Sequence, residues 1–429
     1  MHKMKKLLII LLSLTSILSA QNLYFPPIAG NEWETLSPDS LNWCPDSLQA
    51  LINYVGNNNS KALLILKDGK IVSENYFNGF VSTDNWYWAS AGKTATAFLI
   101  GMAQEEGILD INQPSSTYQG TGWTACTPEQ EQAITVWHQL TMTNGLLTDG
   151  VDLDCTADTC LQFFTTPGSR WFYHNAPYTR LDKVIEGASG VTFNQYYNSR
   201  LKNRIGMNGL YLPSGSNNVN FSTPRSMARF GLLLLNKGIW ENDTLMQDQA
   251  YFEAMTNTSQ NLNKSYGYLT WLNGKESFQL PGITLNIPGP LLPDAPDDLY
   301  AAMGKDGQYI MVVPSENMVV IRMGEDPDGT AGLVPTVMAN EIMRRIGSMD
   351  CSVTAVADKP SIPFNVNIHE GYISIDGNSF GALSLFDLQG RLVASSFGST
   401  IKTNNLRPGI YLISGYSSSR LIQQKVLIR

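Results

Sequence analysis

Serine is a weak nucleophile until a neighbouring base takes its proton, so a serine gains chemical meaning only with its partner. Ser90-Ala91-Gly92-Lys93 supplies one. On a helix, positions three apart share a face, and the Lys93 amine can reach the Ser90 hydroxyl. The positive end of a helix disfavours an ammonium there and favours negative charge on oxygen. The residues that follow are small and apolar nearly all round (Ala95, Ala97, Phe98, Leu99, Met102), so burial pushes the same way. A neutral lysine base near neutral pH follows. No Gly-x-Ser-x-Gly elbow occurs, and His2, His138, His174 and His369 are the only histidines for a Ser-His-Asp triad. His138 and His174 are assigned structural roles, with a triad role the lesser alternative.

Ser-x-x-Lys recurs at Ser199/Lys202 and Ser399/Lys402, so context must separate the three. Ser199 falls mid-helix in a polar stretch and Ser399 in a C-terminal β-rich segment. Only Ser90 opens a buried helix directly after an aromatic strand end, Trp86-Tyr87-Trp88. Two further motifs follow in order. Tyr173-His174-Asn175 closes the loop Pro167 to Phe172, whereas the other Tyr-x-Asn triplets, at Tyr76 and Tyr196, precede Ser90 or lie in a helix. Lys305-Asp306-Gly307-Gln308 stands directly before a strand, and the same first three letters at Lys67-Asp68-Gly69 read as a plain hairpin turn.

In this order the three motifs resemble the serine β-lactamase, penicillin-binding protein and related esterase family, in particular its class C-like branch, over about Trp43 to Ile346. His138 to Leu146 and Met227 to Gly231 match it in tone. The resemblance implies catalytic Ser90, Lys93 and Tyr173, with Asn175, Lys305, Gly307 and Gln308 around substrate and oxyanion. The backbone N–H groups of Ser90 and Gln308 would form the oxyanion hole. One departure bears on substrate. Members acting on β-lactams or peptidoglycan termini usually carry Thr or Ser between the Lys and Gly, where a hydroxyl helps hold a carboxylate; Asp306 would repel it. The expectation is therefore a secreted esterase or amidase acting on uncharged acyl groups of a small molecule or short peptide. The alternatives are a DD-peptidase or β-lactamase on the same scaffold, and a non-catalytic surface-displayed binding protein. Trp86, Trp88, Trp171 and Phe172 suit a partly apolar pocket and serve equally well as core.

The elements that must position these residues follow from pattern. Pro45 to Tyr54 predicts an amphipathic helix. Lys61 to Leu66 and Ile71 to Phe77 flank Asp68-Gly69 as a hairpin. A central helix is expected from about Ser90 to Glu106, ended by Gly107. From Ile108 to Pro290 the text is helical with long loops, including a helix capped by Thr223 with Pro224 at its first position. Gln308 to Val313 and Asn317 to Arg322 are strand-like, and Pro335 to Ile346 closes the domain as a helix. The fold class expected is α/β of the β-lactamase/transpeptidase-like kind: an antiparallel sheet flanked by helices, an inserted mostly helical domain, and a small C-terminal β-sandwich.

The 429 residues are 43% hydrophobic, enough for two or three domains. A net charge of -8 with 15% charged residues excludes phosphate-backbone tracking, so no nucleic-acid partner is expected. The basic start (His2, Lys3, Lys5, Lys6), the apolar run Leu7 to Leu18 and the small Ser19-Ala20 predict a signal peptide over 1–20 and a secreted protein. Export permits disulfides. Cys155 and Cys160 could close a short acidic loop, Cys44 and Cys351 are a second candidate pair, and Cys126 is left over, although pairing is not deducible from sequence. With four histidines and no Cys-x-x-Cys, no metal site or cofactor is expected. The hydrolase domain is placed at 21–350 and a linker at 351–363. Residues 364–429 carry short alternating strands. Leu385 to Val393, Leu406 to Tyr411 and Lys425 to Ile428 resemble the sorting domain of the Bacteroidetes type IX secretion pathway. That likeness implies an outer-membrane secretion machinery as partner, and an extracellular or surface-attached protein.

Overall fold

The computed structural model describes residues 23–327, 335–351, 365–376, 380–387, 392–404, 406–417 and 420–428. The expected signal peptide and most of the expected linker lie outside them. The described chain falls into two units that meet between Asp350 and Cys351.

The first unit is built on a six-stranded antiparallel sheet. Helix α1 (Pro45–Asn57), with proline at its first position, leads into the hairpin of β1 (Ser60–Lys67) and β2 (Lys70–Tyr76). Strand β3 (Trp86–Tyr87) precedes the central helix α2 (Gly92–Glu105). Then come the hairpin of β4 (Leu210–Ser214) and β5 (Asn217–Ser222), and helix α3 (Pro224–Leu235). Strands β6 (Trp271–Leu272), β7 (Tyr300–Gly304), β8 (Gln308–Val313) and β9 (Met318–Gly324) complete the sheet, and α4 (Thr336–Ile346) follows. The strand order is β2-β1-β9-β8-β7-β6, so the first and last parts of the unit meet at β1 and β9. Strands β8 and β9 are buried on both faces, which explains their unbroken Val, Ile and Met runs.

Two expectations need correction. The segment between Ile108 and Pro290 is not all helix and loop: β4 and β5 form a three-stranded sheet with β3, and Trp271–Leu272 joins the main sheet as an edge strand. Asn-rich polar hairpins and two-residue strands lack the apolar alternation that marks a strand in sequence. Second, Ser90 does not begin an α-helix. It sits in a 3₁₀ turn, Ala89–Ala91, and α2 starts at Gly92. Every residue of α2 from Gly92 to Ala103 is buried, and each large apolar side chain so buried contributes about 1.5–3 kcal/mol. Helix α3 crosses β1, β8 and β9. Its Gly231 allows close approach, because a Cβ there would lie 2.5 Å from Val319.

The second unit holds a three-stranded sheet (Asn365–His369, Tyr372–Asp376, Thr400–Lys402) and a four-stranded one in spatial order Leu392–Phe397, Phe380–Phe386, Gly409–Ser417, Arg420–Ile428. Ile373, Ile375, Leu383, Leu385, Ile401 and Ile413 form its core. This is a small β-sandwich, as the alternating pattern implies.

Candidate active site

The backbone bends sharply where β3 gives way to α2. Ala89 adopts φ +47, a left-handed conformation that costs a non-glycine residue energy and turns Ser90 out of the strand direction. Helix α2 then carries Lys93 one turn on, and Lys93 Nζ lies 2.8 Å from Ser90 Oγ. Strand β7 closes on this corner from the other side. Gly304 is where it does so: a Cβ there would stand 2.7 Å from the Trp88 carbonyl and 3.0 Å from the Ser90 nitrogen. The missing side chain lets the end of β7 and the turn Lys305–Gly307 come against the backbone amide of Ser90.

Lys93 is buried, and its desolvation pulls the amine down from 10.5 to about 7, with Asp154 pulling the other way. Its ammonium end faces the rings of Tyr178, 4.2 Å away, and Tyr173, 5.1 Å away. Those π-faces would favour the cation, so the low value reflects the loss of water around the amine. Tyr173 is also buried, stacked on Trp271 at 5.9 Å and edge-on to Tyr266. Burial raises its phenol well above the usual range, a hydrogen bond with Ser90 offsets part of this, and Asp154 raises it further. Of the two groups that meet Ser90, the amine can be neutral near pH 7 and the phenol holds its proton.

Asn175 opens the short helix Asn175–Thr179. Its amide nitrogen is committed to Asp154, donating at 2.7 Å. Asp154 was invisible as a site residue from motif alone. It stands at the start of the loop closed by the Cys155–Cys160 disulfide, a signal that an acidic loop was being pinned in place. Cys44 and Cys351 each stand in a disulfide, and Cys126 is a free, half-buried thiol.

A cavity of about 590 Å³ opens over Ser90 and Lys93, lined among others by Tyr87, Asp154, Tyr173, Asn175 and Lys305. Its aromatic wall is Tyr87, Tyr173, Tyr178 and Phe221. The expected wall of Trp86, Trp88, Trp171 and Phe172 is not what lines it. Tyr87, the last residue of β3, reaches the cavity, while Trp88, where the backbone turns helical, is fully buried and donates to Ser222. Trp171 packs into Tyr266 and Trp271, and Phe172 lies under Arg170.

Lys305 is exposed at the cavity rim, and Asp306 directs its carboxylate to the Tyr87 hydroxyl. Gln308 is buried, its side chain locked to the backbone of Gly324 through Nε2 at 2.6 Å and Oε1 at 3.1 Å. Strands β7 and β8 pair Gly304 with Gln308. The structure thus places Ser90, Lys93, Tyr173, Asn175 and Lys305 around one cavity.

The two competing Ser-x-x-Lys motifs show no such arrangement. Ser199 Oγ bonds the Tyr196 carbonyl while Lys202 reaches the Gly209 carbonyl, and Ser399 lies in the second unit. His138 caps its own helix through Thr135, and burial lowers it to about 4. His174 is buried and likewise lowered to about 4, chiefly by desolvation. Both are neutral imidazoles near neutral pH. Among the described residues no group of three or more His, Cys, Asp or Glu is placed to hold a metal ion.

Similarity to known proteins accords with this geometry. A putative 6-aminohexanoate-dimer hydrolase from Bacillus anthracis superimposes with a TM-score of 0.57 at 18% identity, covering 76% of this chain and 91% of that one. A putative β-lactamase from Bacteroides dorei gives 0.55 at 15% identity, covering 70% and 99%. A penicillin-binding protein homologue from Caulobacter crescentus gives 0.54 at 14% identity, covering 72% and 98%. At these identities the likeness is one of fold. No curated protein matches the chain. Residues 364–429 match the secretion system C-terminal sorting domain, which marks the protein for the extracellular space or cell surface and implies contact with the type IX machinery. Residues 56–334 match the family described as Beta-lactamase, and the chain belongs to that family of serine hydrolases.

Proposed function

We propose that this protein hydrolyses an acyl donor through a covalent Ser90 acyl-enzyme. The observation that carries the reading is the 2.8 Å contact between Ser90 Oγ and a buried Lys93 whose amine is lowered to about 7. In this reading Ser90 Oγ attacks the acyl carbon and passes its proton to Lys93 Nζ. The backbone N–H groups of Ser90 and Gln308 receive the oxyanion. As the tetrahedral species collapses, Tyr173 gives its proton to the leaving group and recovers one from Lys93. Water then attacks the acyl-enzyme, giving its proton to the same base, and Lys93 returns that proton to Ser90 Oγ as the acid leaves. Tyr173 works here as a proton donor and relay, because burial keeps its phenol protonated.

The family description, and the β-lactamase and penicillin-binding names among its structural neighbours, favour a lactam or peptide acyl donor on this scaffold. A second reading, an esterase or amidase for uncharged acyl groups, is favoured by one residue. Asp306 stands where a hydroxyl would help to hold a substrate carboxylate, and it is coupled to Tyr87 on the cavity wall. A non-catalytic binding role gains nothing from a desolvated lysine beside a serine.

The test is turnover of p-nitrophenyl butyrate and of a chromogenic cephalosporin by the mature protein and by Ser90→Ala. Serine-dependent cephalosporin cleavage supports the first donor class, and serine-dependent ester turnover with little cephalosporin cleavage supports the second. Wild-type rates unchanged in Ser90→Ala would sink both.

A further inference from the structure

We propose that Arg322 is the positioning residue of the oxyanion hole, its buried guanidinium holding the Lys305–Gly307 turn and thereby setting the direction of the Gln308 N–H. The proposal rests on the acyl-enzyme reading above. Arg322 lies on β9, fully buried, and pairs across the sheet with Leu63 and Tyr309. A guanidinium carries five N–H donors in a rigid plane. Here each has an oxygen to meet. Nε donates to Ser60 Oγ at 2.9 Å, and Nη2 donates to the carbonyls of Asn58 and Glu325, both at 2.9 Å. Nη1 donates to the carbonyls of Asp306 and Gly307, the latter at 3.0 Å.

Those last two carbonyls belong to the turn between β7 and β8. Asp306 and Gly307 take consecutive left-handed conformations, φ +59 and +76. Such a turn is costly for the non-glycine residue, and it connects β7, where a Cβ at Gly304 would stand 3.0 Å from the Ser90 nitrogen, to β8, which begins with Gln308. A rotation of the turn by a few degrees would swing the Gln308 amide relative to the Ser90 amide while leaving the cavity walls in place. One plane of donors beneath the turn prevents that.

The fit is tight on both sides. A Cβ at Gly307 would lie 2.5 Å from Nη1, and one at Gly324 would lie 2.4 Å from Nη2. The chain therefore has glycine where the fork must pass. Lysine offers a single ammonium and cannot reach both the Asp306–Gly307 side and the Asn58–Glu325 side. A purely structural arginine would tie segments together without bearing on the transition state. This one bears on donors that matter only when charge develops on the acyl oxygen.

The experiment compares wild type with Arg322→Lys, using p-nitrophenyl butyrate for kcat and KM and butylboronic acid as the probe, since its tetrahedral Ser90 adduct places an oxygen in the oxyanion hole. Removing an oxyanion donor costs about 100- to 1000-fold in kcat, and a misdirected donor is expected to cost about tenfold to a hundredfold. The expected result is a kcat lower by that factor, a boronate Ki raised by a similar factor, and KM within about twofold of wild type. Ki and KM do not depend on the fraction of folded molecules, so poor folding cannot imitate this pattern. An unchanged Ki, or Ki and KM rising together, overturns the assignment of Arg322. If p-nitrophenyl butyrate is not turned over, kcat and KM are read with the chromogenic cephalosporin, and absence of Ser90-dependent turnover of both donors overturns the hydrolase reading itself.

Discussion

Lys-Asp-Gly occurs twice in this chain, and both copies hold aspartate and glycine at positive φ, although the first loop spans two residues between paired strands and the second three. Asp68 and Gly69 have φ +51 and +81; Asp306 and Gly307 have φ +59 and +76. Each joins two antiparallel strands of the same sheet. The registers put them at opposite ends of it, one beside Met318 and the other toward Gly324. What differs is the company each keeps. The first turn is covered by the N-terminal segment: Tyr24 N donates to the Asp68 carbonyl, Trp33 Nε1 donates to the Gly69 carbonyl at 2.8 Å, and Lys67 is spent on the Glu316 carbonyl. The second has Arg322 beneath its carbonyls, Tyr87 on its carboxylate and Ser90 across from Gly304. The letters specify a turn. The neighbours make one of the turns a site.

The comparison can be broken or sharpened by substitution. The largest effect is expected at the nucleophile and base: Ser90→Ala or Lys93→Met should lower turnover by about a thousandfold or more, measured with whichever chromogenic donor the wild type accepts. Lys93→Met should also stabilise the protein in acid. The folded-state amine, at about 7, lies below its ordinary value of 10.5. The unfolded chain therefore binds the extra proton between those values, and the cost of burying Lys93 is fully present below pH 7 and fades as pH rises toward 10. Melting temperatures at pH 6 and pH 9 should show a larger advantage for the variant at the lower pH.

Next come the paired glycines. Gly307→Ala and Gly69→Ala each force alanine into a positive φ and should each lose about 1 kcal/mol or more of stability. A Cβ at Gly69 would strike the Tyr24 carbonyl at 1.9 Å, far from Ser90, so kcat per folded molecule should be unchanged there. At Gly307 it displaces Arg322, and kcat should fall about tenfold or more. Equal kcat in the two variants would erase the distinction between the turns. In the same way Asp306→Thr should raise acylation by an anionic cephalosporin about tenfold, while Asp68→Thr should not change it.

The smallest effect is one of pH. kcat/KM should rise with pH through about 7 as Lys93 loses its proton. Asp154 raises the Lys93 amine, so Asp154→Asn should move that limb to lower pH, read from the pH profile of kcat/KM. A limb that does not move would show that Asp154 matters through Asn175 alone.

Much of this was legible in the chain. The hairpin around Asp68-Gly69, the buried helix after Ser90, the helix capped by Thr223 and the strands from Gln308 and Met318 follow from local periodicity and turn chemistry. What escaped was made by partners distant in sequence or by runs too short to show a period: the β3–β5 pairing, the two-residue strand at Trp271, and the cavity wall of Tyr87, Tyr178 and Phe221. A tyrosine five residues after Tyr173 carries no local mark that it will lie 4.2 Å from the lysine of another helix.

Read alone, the chain settled the spacing of serine and lysine, the hairpin turn at Asp68-Gly69, and the helices and alternating strands from which the sheet and the β-sandwich tail are built. Each of these depends on residues within a few positions of one another, where φ/ψ sterics and hydrophobic period act directly. Only the tertiary structure decided which turn meets the nucleophile, that Asn175 is held by Asp154, that Arg322 holds the carbonyls of Asp306 and Gly307, and that Lys93 loses its water. Burial and pairing are properties of the assembled chain: Arg322 and Asn58 are 264 positions apart, and their bond exists only once β1 and β9 have met.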